Sequence, residues 1–172
     1  MLKRLLEWNL RLALDLGTRE GGTLFLWTRV ATEQARIIAA GLPGRPYPAE
    51  YVPFFQAMAR GRQQIYCIPG ADDPEALAQQ IDQAREEIPL DFVFLDGLRP
   101  YEELKADFHR YLRRVRKDGL IAWDGIEMIL PPGPRAEGGH RLWAELKGLY
   151  PYRAEYLEGA TTISGGIGLI RI

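Results

Sequence analysis

Short apolar runs and helically spaced apolar positions alternate along the whole chain. Arg11–Gly17 is an apolar run stopped by glycine, which predicts a buried strand. Gly22–Thr32 follows with Leu24, Trp27, Val30 and Ala31 at helical spacing, and Ala35–Leu42 reads as the second strand. Glycines and prolines make the stretch from Gly41 to Pro48 a loop. Pro48–Arg60 predicts a helix with Tyr51, Phe54, Phe55 and Met58 on one face, and Gln63–Pro69 a third strand. Asp73-Pro74-Glu75 is a helix start: an Asp caps exposed backbone N–H groups, and Pro at the first helical position loses no needed donor. That helix is expected to reach Ile88, with Leu77, Ile81, Ala84 and Ile88 as its stripe. Leu90–Gly97 predicts the fourth strand, Tyr101–Arg116 the most strongly amphipathic helix, and Gly119–Ile126 the fifth strand. Met128–Gly139 is rich in Pro and Gly and reads as a loop. Gly139–Tyr150 then predicts a helix, and Arg153–Gly159 and Gly166–Ile172 the last two strands.

Five strand–helix units and a closing pair of strands predict one α/β domain over residues 1–172. The expected architecture is Rossmann-like and doubly wound. Its sheet is mostly parallel and seven-stranded, with an antiparallel last strand and helices on both faces, where right-handed crossovers put them.

Composition narrows the function classes. An apolar share of 47%, a charged share of 26% and a net charge of -1 are those of an ordinary globular chain. They give no basis for bulk attraction to nucleic acid or to an anionic membrane. Glu7, Asn9 and Arg11 interrupt the apolar start, so it does not read as a signal peptide. No stretch approaches the roughly 18–20 apolar residues that span a bilayer. Cys67, the single cysteine, permits no intrachain disulfide; it reads as an inert core residue of a cytoplasmic protein. Trp8, Trp27 and Trp143 on so short a chain suggest apolar surface covered by a second copy, a homodimer.

In an open doubly wound sheet, ligands bind beyond the carboxyl ends of the strands. The residues expected there begin with Asp15-Leu-Gly-Thr-Arg-Glu-Gly-Gly-Thr23, whose glycines let the backbone approach a ligand and whose following helix offers free N–H groups. Gly41 follows the second strand, Asp72 and Asp73 the third, Asp96 and Gly97 the fourth, and Trp123, Asp124 and Glu127 the fifth. Asp73 serves first as a helix cap and second as a ligand contact. Asp96 ends a wholly apolar strand, where a carboxylate is costly unless it faces a solvated site. Trp123 either stacks on a ligand or packs. His109 reads as solvent-facing, and His140, at a helix start, as a candidate base.

These blocks resemble the class I S-adenosylmethionine (SAM)-dependent methyltransferases related to catechol and glycan O-methyltransferases, in particular a bacterial branch grouped with cephalosporin-hydroxylase-like proteins. Phe92-Val-Phe-Leu-Asp-Gly-Leu-Arg-Pro-Tyr-Glu-Glu-Leu-Lys-Ala-Asp-Phe108 is similar to that branch's FIDGDHSYEGVKxDF, and Val115-Arg-Lys-Asp-Gly-Leu-Ile-Ala-Trp-Asp-Gly-Ile126 to LxPGGLIAFHDI. Leu14–Thr23 resembles the cofactor loop EIGTxxGGST, while Leu142–Lys147 and Gly165–Leu169 resemble FWxELK and GIGVL. The resemblance implies that Asp15, Gly17 and Thr18 lie along the methionine part of SAM. It also implies that Gly21 and Gly22 admit its close approach, that Asp72 or Asp73 lies near the adenine, and that Asp96 faces the methyl group or a metal. Asp96 and Asp124, alone or joined by Glu127, would provide two or three hard oxygen ligands for Mg²⁺. Asp96, Asp124 and His140 are the catalytic candidates.

The chain departs from that pattern in three places. The second strand ends Ile37-Ile-Ala-Ala-Gly41, without the acid that usually takes the ribose hydroxyls. Leu98 and Arg99 replace the second Asp and the His of DGDHSYE, and Asp124 and Gly125 replace the His and Asp of FHDI. An extra helical segment usually precedes the first strand of that branch, and ten residues precede it here. Two expectations follow: O-methylation of a small hydroxylated or sugar-like acceptor, or a methyltransferase fold that lost catalysis and serves binding or assembly.

Overall fold

The computed structural model describes residues 1–128, 137–157 and 164–172. Seven strands form one sheet in the order β3-β2-β1-β4-β5-β7-β6. They are β1 (Leu12–Leu16), β2 (Arg36–Ala40), β3 (Gln64–Ile68), β4 (Leu90–Leu95), β5 (Val115–Met128), β6 (Arg153–Tyr156) and β7 (Ser164–Arg171). The β1–β2 and β2–β3 pairs are parallel, and β7 runs antiparallel to both β5 and β6. The expected Rossmann-like, doubly wound α/β sheet with an antiparallel last strand is therefore present. The chain divides into two compact units, Met1–Phe92 and Val93–Ile172.

In the first unit, every residue of β1 is buried, consistent with a continuous apolar strand covered on both faces. A short helix α1 (Leu2–Leu5) and a 3-10 turn (Leu6–Trp8) precede β1; the apolar pattern alone had marked no element there. Helix α2 (Gly22–Val30) buries Leu24, Trp27, Thr28 and Val30. The single helix expected over Pro48–Arg60 is instead a 3-10 turn, Ala49–Tyr51, followed by the short α3 (Val52–Ala57). Pro53 is the reason: it has no N–H to give the carbonyl of Ala49, which accepts from Val52 instead. Helix α4 (Pro74–Arg85) starts as expected, with the Asp73 carboxylate accepting from the N–H groups of Glu75 and Ala76, each at 2.8 Å. It ends before Ile88 because Glu86 and Glu87 both adopt positive φ, 52° and 59°. That turn takes Ile88 off the buried stripe of Leu77, Ala78 and Ile81 and leaves it half exposed.

In the second unit, α5 (Tyr101–Leu112) buries Leu104, Asp107, Phe108 and Tyr111. It stops four residues short of the expected Arg116, because Val115 already belongs to β5 and the Asp118 N–H is held by the carbonyl of Ile172 at the chain's end. Helix α6 (Gly138–Leu146) buries Leu142, Trp143 and Leu146. The expected Met128–Gly139 loop and the end of the strand expected over Arg153–Gly159 lie mostly outside the described residues. Trp123, Phe108, Trp143 and Tyr150 form a chain of edge-to-face ring contacts. Trp143 packs against Gly168, where a Cβ would sit 2.5 Å from the indole.

Candidate active site

The first unit contributes the glycine loop after β1. Gly17 and Gly21 take φ values of 98° and 87°, a left-handed conformation that lets the chain leave β1 sharply and enter α2. Gly21 occupies the N-cap of α2 and no side chain caps it, so the first N–H groups of the helix are left for water or a ligand. A Cβ on Gly22 would meet nothing within 4 Å, so the loop is open at that point. Gly21 is packed from below: a Cβ there would sit 2.7 Å from the Phe55 ring and 3.0 Å from the Met58 methyl.

Asp15 is 1% exposed and turned inward. Its Oδ2 accepts from the hydroxyls of Thr18 at 2.6 Å and Thr23 at 3.0 Å, and its Oδ1 accepts from the Trp27 indole at 2.9 Å. The N–H groups of Gly17 and Thr18 are both given to the carbonyl of Ala40. Asp15 and Thr18, expected along the methionine of a cofactor, thus tie β1 to α2 and to the end of β2. Beyond β2 and β3 the chain is tight. A Cβ on Gly41 would lie 2.0 Å from the Pro69 carbonyl, and Tyr47 donates its hydroxyl to the Ala39 carbonyl at 2.9 Å. Burial pushes the Tyr47 phenol well above its ordinary pKa. Cys67 is half-buried rather than a core residue; its thiol meets the Tyr47 hydroxyl, and burial pushes its pKa up. Asp72 and Asp73 are exposed, the latter as the α4 cap.

The second unit contributes the ends of β4 and β5. Asp96 is 7% exposed and accepts from the Leu98 N–H at 3.0 Å. Asp124 accepts from the Gly97 N–H at 2.6 Å, so one of its oxygens is committed to the turn after β4. No group of three or more His, Cys, Asp or Glu side chains gathers as a metal site among the described residues. Among the described residues, Asp96 and Asp124 are thus not joined by Glu127 or another acid as a third ligand.

Arg99, standing where the resembled motif has His, is 3% exposed and points inward. Its Nε donates to the Asp96 carbonyl at 2.8 Å and its Nη1 to Asp107 Oδ2 at 2.7 Å, while Arg110 takes the other Asp107 oxygen. The sequence reading missed this pair; the only available signal was an Arg and an Asp eight residues apart across a strand end and a helix.

The start of α6 meets the β4 and β5 ends backbone to backbone. Gly138 N–H donates to the Arg99 carbonyl and Gly139 N–H to the Gly97 carbonyl. A Cβ on Gly97, Gly138 or Gly139 would lie 2.0–2.2 Å from a main-chain oxygen. Trp123 packs, fully buried, and donates its indole N–H to the Gly139 carbonyl at 3.0 Å. His140 follows directly, exposed, with Nδ1 2.9 Å from the Ile126 carbonyl. A carbonyl only accepts, so Nδ1 carries a proton, and whenever the ring is neutral Nε2 is its acceptor. His109, as expected, faces solvent.

Trp27 and Trp143 are 0% and 3% exposed, buried within the chain itself. The tryptophan argument for a second copy therefore fails for these two. Among the described residues, no helix is long and apolar enough to cross a membrane.

No protein-family model matches the sequence, and no curated protein does. Solved structures do. The chain is similar to an O-methyltransferase from Bacillus cereus in complex with SAH, at 19% identity and a TM-score of 0.65, covering 99% of this chain and 78% of that one. It is similar to the O-methyltransferase TomG from Streptomyces achromogenes, involved in tomaymycin synthesis and in complex with SAM, at 14% identity and a TM-score of 0.66, covering 99% and 77%. It is also similar to cofactor-bound Rv0187 from MTB, at 16% identity and a TM-score of 0.67, covering 99% and 76%. At these identities the likeness is one of fold, and the fold is the Rossmann-like fold of the SAM-dependent O-methyltransferases.

Proposed function

We propose that the chain is a SAM-dependent methyltransferase that O-methylates a small hydroxylated or sugar-like acceptor. The observation that carries this reading is the glycine loop after β1: positive φ at Gly17 and Gly21, open space over Gly22, and an α2 N-terminus without a side-chain cap. These features fit the methionine end of SAM, whose carboxylate pairs well with free helix N–H groups. The ribose end is less well provided for, since β2 closes on Ala39-Ala40-Gly41 with no carboxylate. Asp15 acts as a positioning residue here, fixing Thr18, Thr23 and Trp27 beneath the loop. SAM, when bound, supplies the electrophilic sulfonium methyl. The chain's own task is to orient the acceptor and take its proton. Within the second unit, His140, with Nδ1 on the Ile126 carbonyl, is the candidate base.

The second reading is a fold retained for binding or assembly without catalysis. It is favoured by the committed Asp124, the inward Arg99 and the missing β2 acid. Calorimetric titration with SAM and SAH separates the two. Micromolar binding that is lost in Gly22→Asp, where an added anion has room but opposes a carboxylate, supports the enzyme. No heat with either ligand up to millimolar concentration from folded protein sinks it.

A further inference from the structure

The second unit carries a cavity on the flank of α6. Its volume is about 240 Å³, and its lining includes Ile126, Glu127, His140, Trp143, Glu155 and Leu157. That is below the roughly 300–1,000 Å³ of sites for drug-sized ligands, so it suits a molecule of about one six-membered ring. Ile126, Trp143, Ala144 and Leu157 make much of the wall apolar. The polar groups are few and differ sharply in how they are engaged.

Glu155 accepts from the Trp143 indole at 2.5 Å and lies 3.9 Å from the Lys147 ammonium, so these two opposite charges offset each other. His140 has Nδ1 committed to Ile126 and Nε2 available as an acceptor. Glu127 is half-buried, and its carboxylate has no ion-pair or hydrogen-bond partner among the described residues. A carboxylate partly withdrawn from water and unpaired is a net electrostatic preference for a cation. The cavity therefore combines an apolar wall, one free acceptor nitrogen and one uncompensated negative charge.

We propose that this cavity binds a small amino alcohol, with its ammonium group on Glu127, its hydroxyl donated to His140 Nε2 and its carbon frame against Ile126 and Leu157. Calling that ligand the methyl acceptor rests on the methyltransferase reading; the binding itself does not. Neutral analogues lose the charged contact, and anionic ones meet repulsion from Glu127.

The test uses the full chain without SAM and three ring compounds of like shape: aminocyclohexanol, cyclohexanediol and hydroxycyclohexanecarboxylate. NMR titration at neutral pH follows the Trp143 indole and His140 ring signals. The expected result is that aminocyclohexanol shifts both signals and binds at least tenfold more tightly than the diol, with no saturable shift from the carboxylate. Glu127→Gln, at a position with no side-chain partner among the described residues, should keep the spectrum of the folded protein and reduce the preference to within twofold. Equal binding of amine and diol, absence of shifts at these two residues, or an unchanged preference in Glu127→Gln would each overturn the assignment. Adding SAM afterwards separates the two ideas. Amine-selective binding without any methyl transfer overturns the methyltransferase reading and leaves the cavity assigned, whereas methylation of hydroxylated acceptors without amine selectivity does the reverse.

Discussion

Trp27 donates its indole N–H to the carboxylate of Asp15 across 2.9 Å, with both side chains essentially without solvent exposure. The same carboxyl group accepts from Thr18 and Thr23, so side chains of the loop and helix that follow β1 converge on it. Removing it takes one acceptor from the buried indole, while the Thr18 hydroxyl keeps the main-chain carbonyl of residue 15 at 3.0 Å. Asp15→Ala should destabilise the protein by about 3 kcal/mol, since each unsatisfied buried group costs about 1–3 kcal/mol. Asp15→Asn, which keeps one acceptor oxygen, should cost less. Urea unfolding of the two variants measures both, and equal losses would contradict the assignment of separate acceptors.

The backbone junction at the start of α6 predicts a contrast between glycines. Gly97→Ala places a methyl 2.0 Å from the Asp124 carbonyl, where only a main-chain shift can accommodate it. A loss of about 2–3 kcal/mol is expected. Gly148→Ala, with nothing within 4 Å of the new methyl, should be neutral or stabilising by roughly 0.5 kcal/mol through the unfolded chain. Thermal unfolding of the pair should place their midpoints on opposite sides of, or level with and well below, the parent protein.

On the surface, Glu145 joins α5 to α6 by accepting from the Tyr101 hydroxyl and from the Lys105 ammonium, the latter at 2.9 Å. The Tyr101 hydroxyl first, and Lys105 second, hold its carboxyl below the usual carboxylate range. A depressed folded value means that the stabilisation is complete above the unfolded value, about 4.3. It is then lost as pH falls through the folded value. The group is exposed, so the stability gap between the parent and Glu145→Gln should be at most about 1 kcal/mol at neutral pH. The gap should shrink in high salt and close in acid. A gap that widens on acidification would reverse the sign and refute the pairing.

The Cys67 thiol predicts a chemical behaviour. Burial raises its pKa, and the Tyr47 hydroxyl opposes part of that rise. Alkylation by iodoacetamide should therefore be slow at neutral pH and still climbing above about 8.5, where an ordinary thiol is half ionised. Tyr47→Phe removes the opposing contact and should move the profile further up. A downward movement in that variant would remove the hydroxyl from the account.

Much of the fold was legible because strand and helix leave different periodicities. Leu12–Leu16 reads as a strand buried on both faces, and the Asp73-Pro74 pair marks the start of α4 directly. The misplacements have local causes that a hydrophobic pattern does not encode. Pro53 splits a helix whose apolar face runs on through it, and Glu86 and Glu87 turn left-handed where only Gly or Asn would have advertised it. The site was half legible. Sequence position brought Asp15, Asp96 and Asp124 to strand ends, but the direction of a side chain depends on donors supplied from elsewhere. Thr18, Thr23 and Trp27 claim Asp15, the Gly97 amide claims an oxygen of Asp124, and Asp107 claims Arg99. His140 was legible as a ring near a helix start, whereas its fixed tautomer depends on the carbonyl of Ile126, fourteen residues away.

The glycine junction that seats α6 has a bearing on how this protein can change. His140 takes its coordinates from main-chain contacts made by the two residues before it, while Glu127 and the Glu155–Lys147 pair line the cavity through their side chains alone. Placement of the ring and choice of ligand are thereby uncoupled. A lineage can rewrite the rim, and with it the molecule it holds, without disturbing the imidazole around which any new preference would be built.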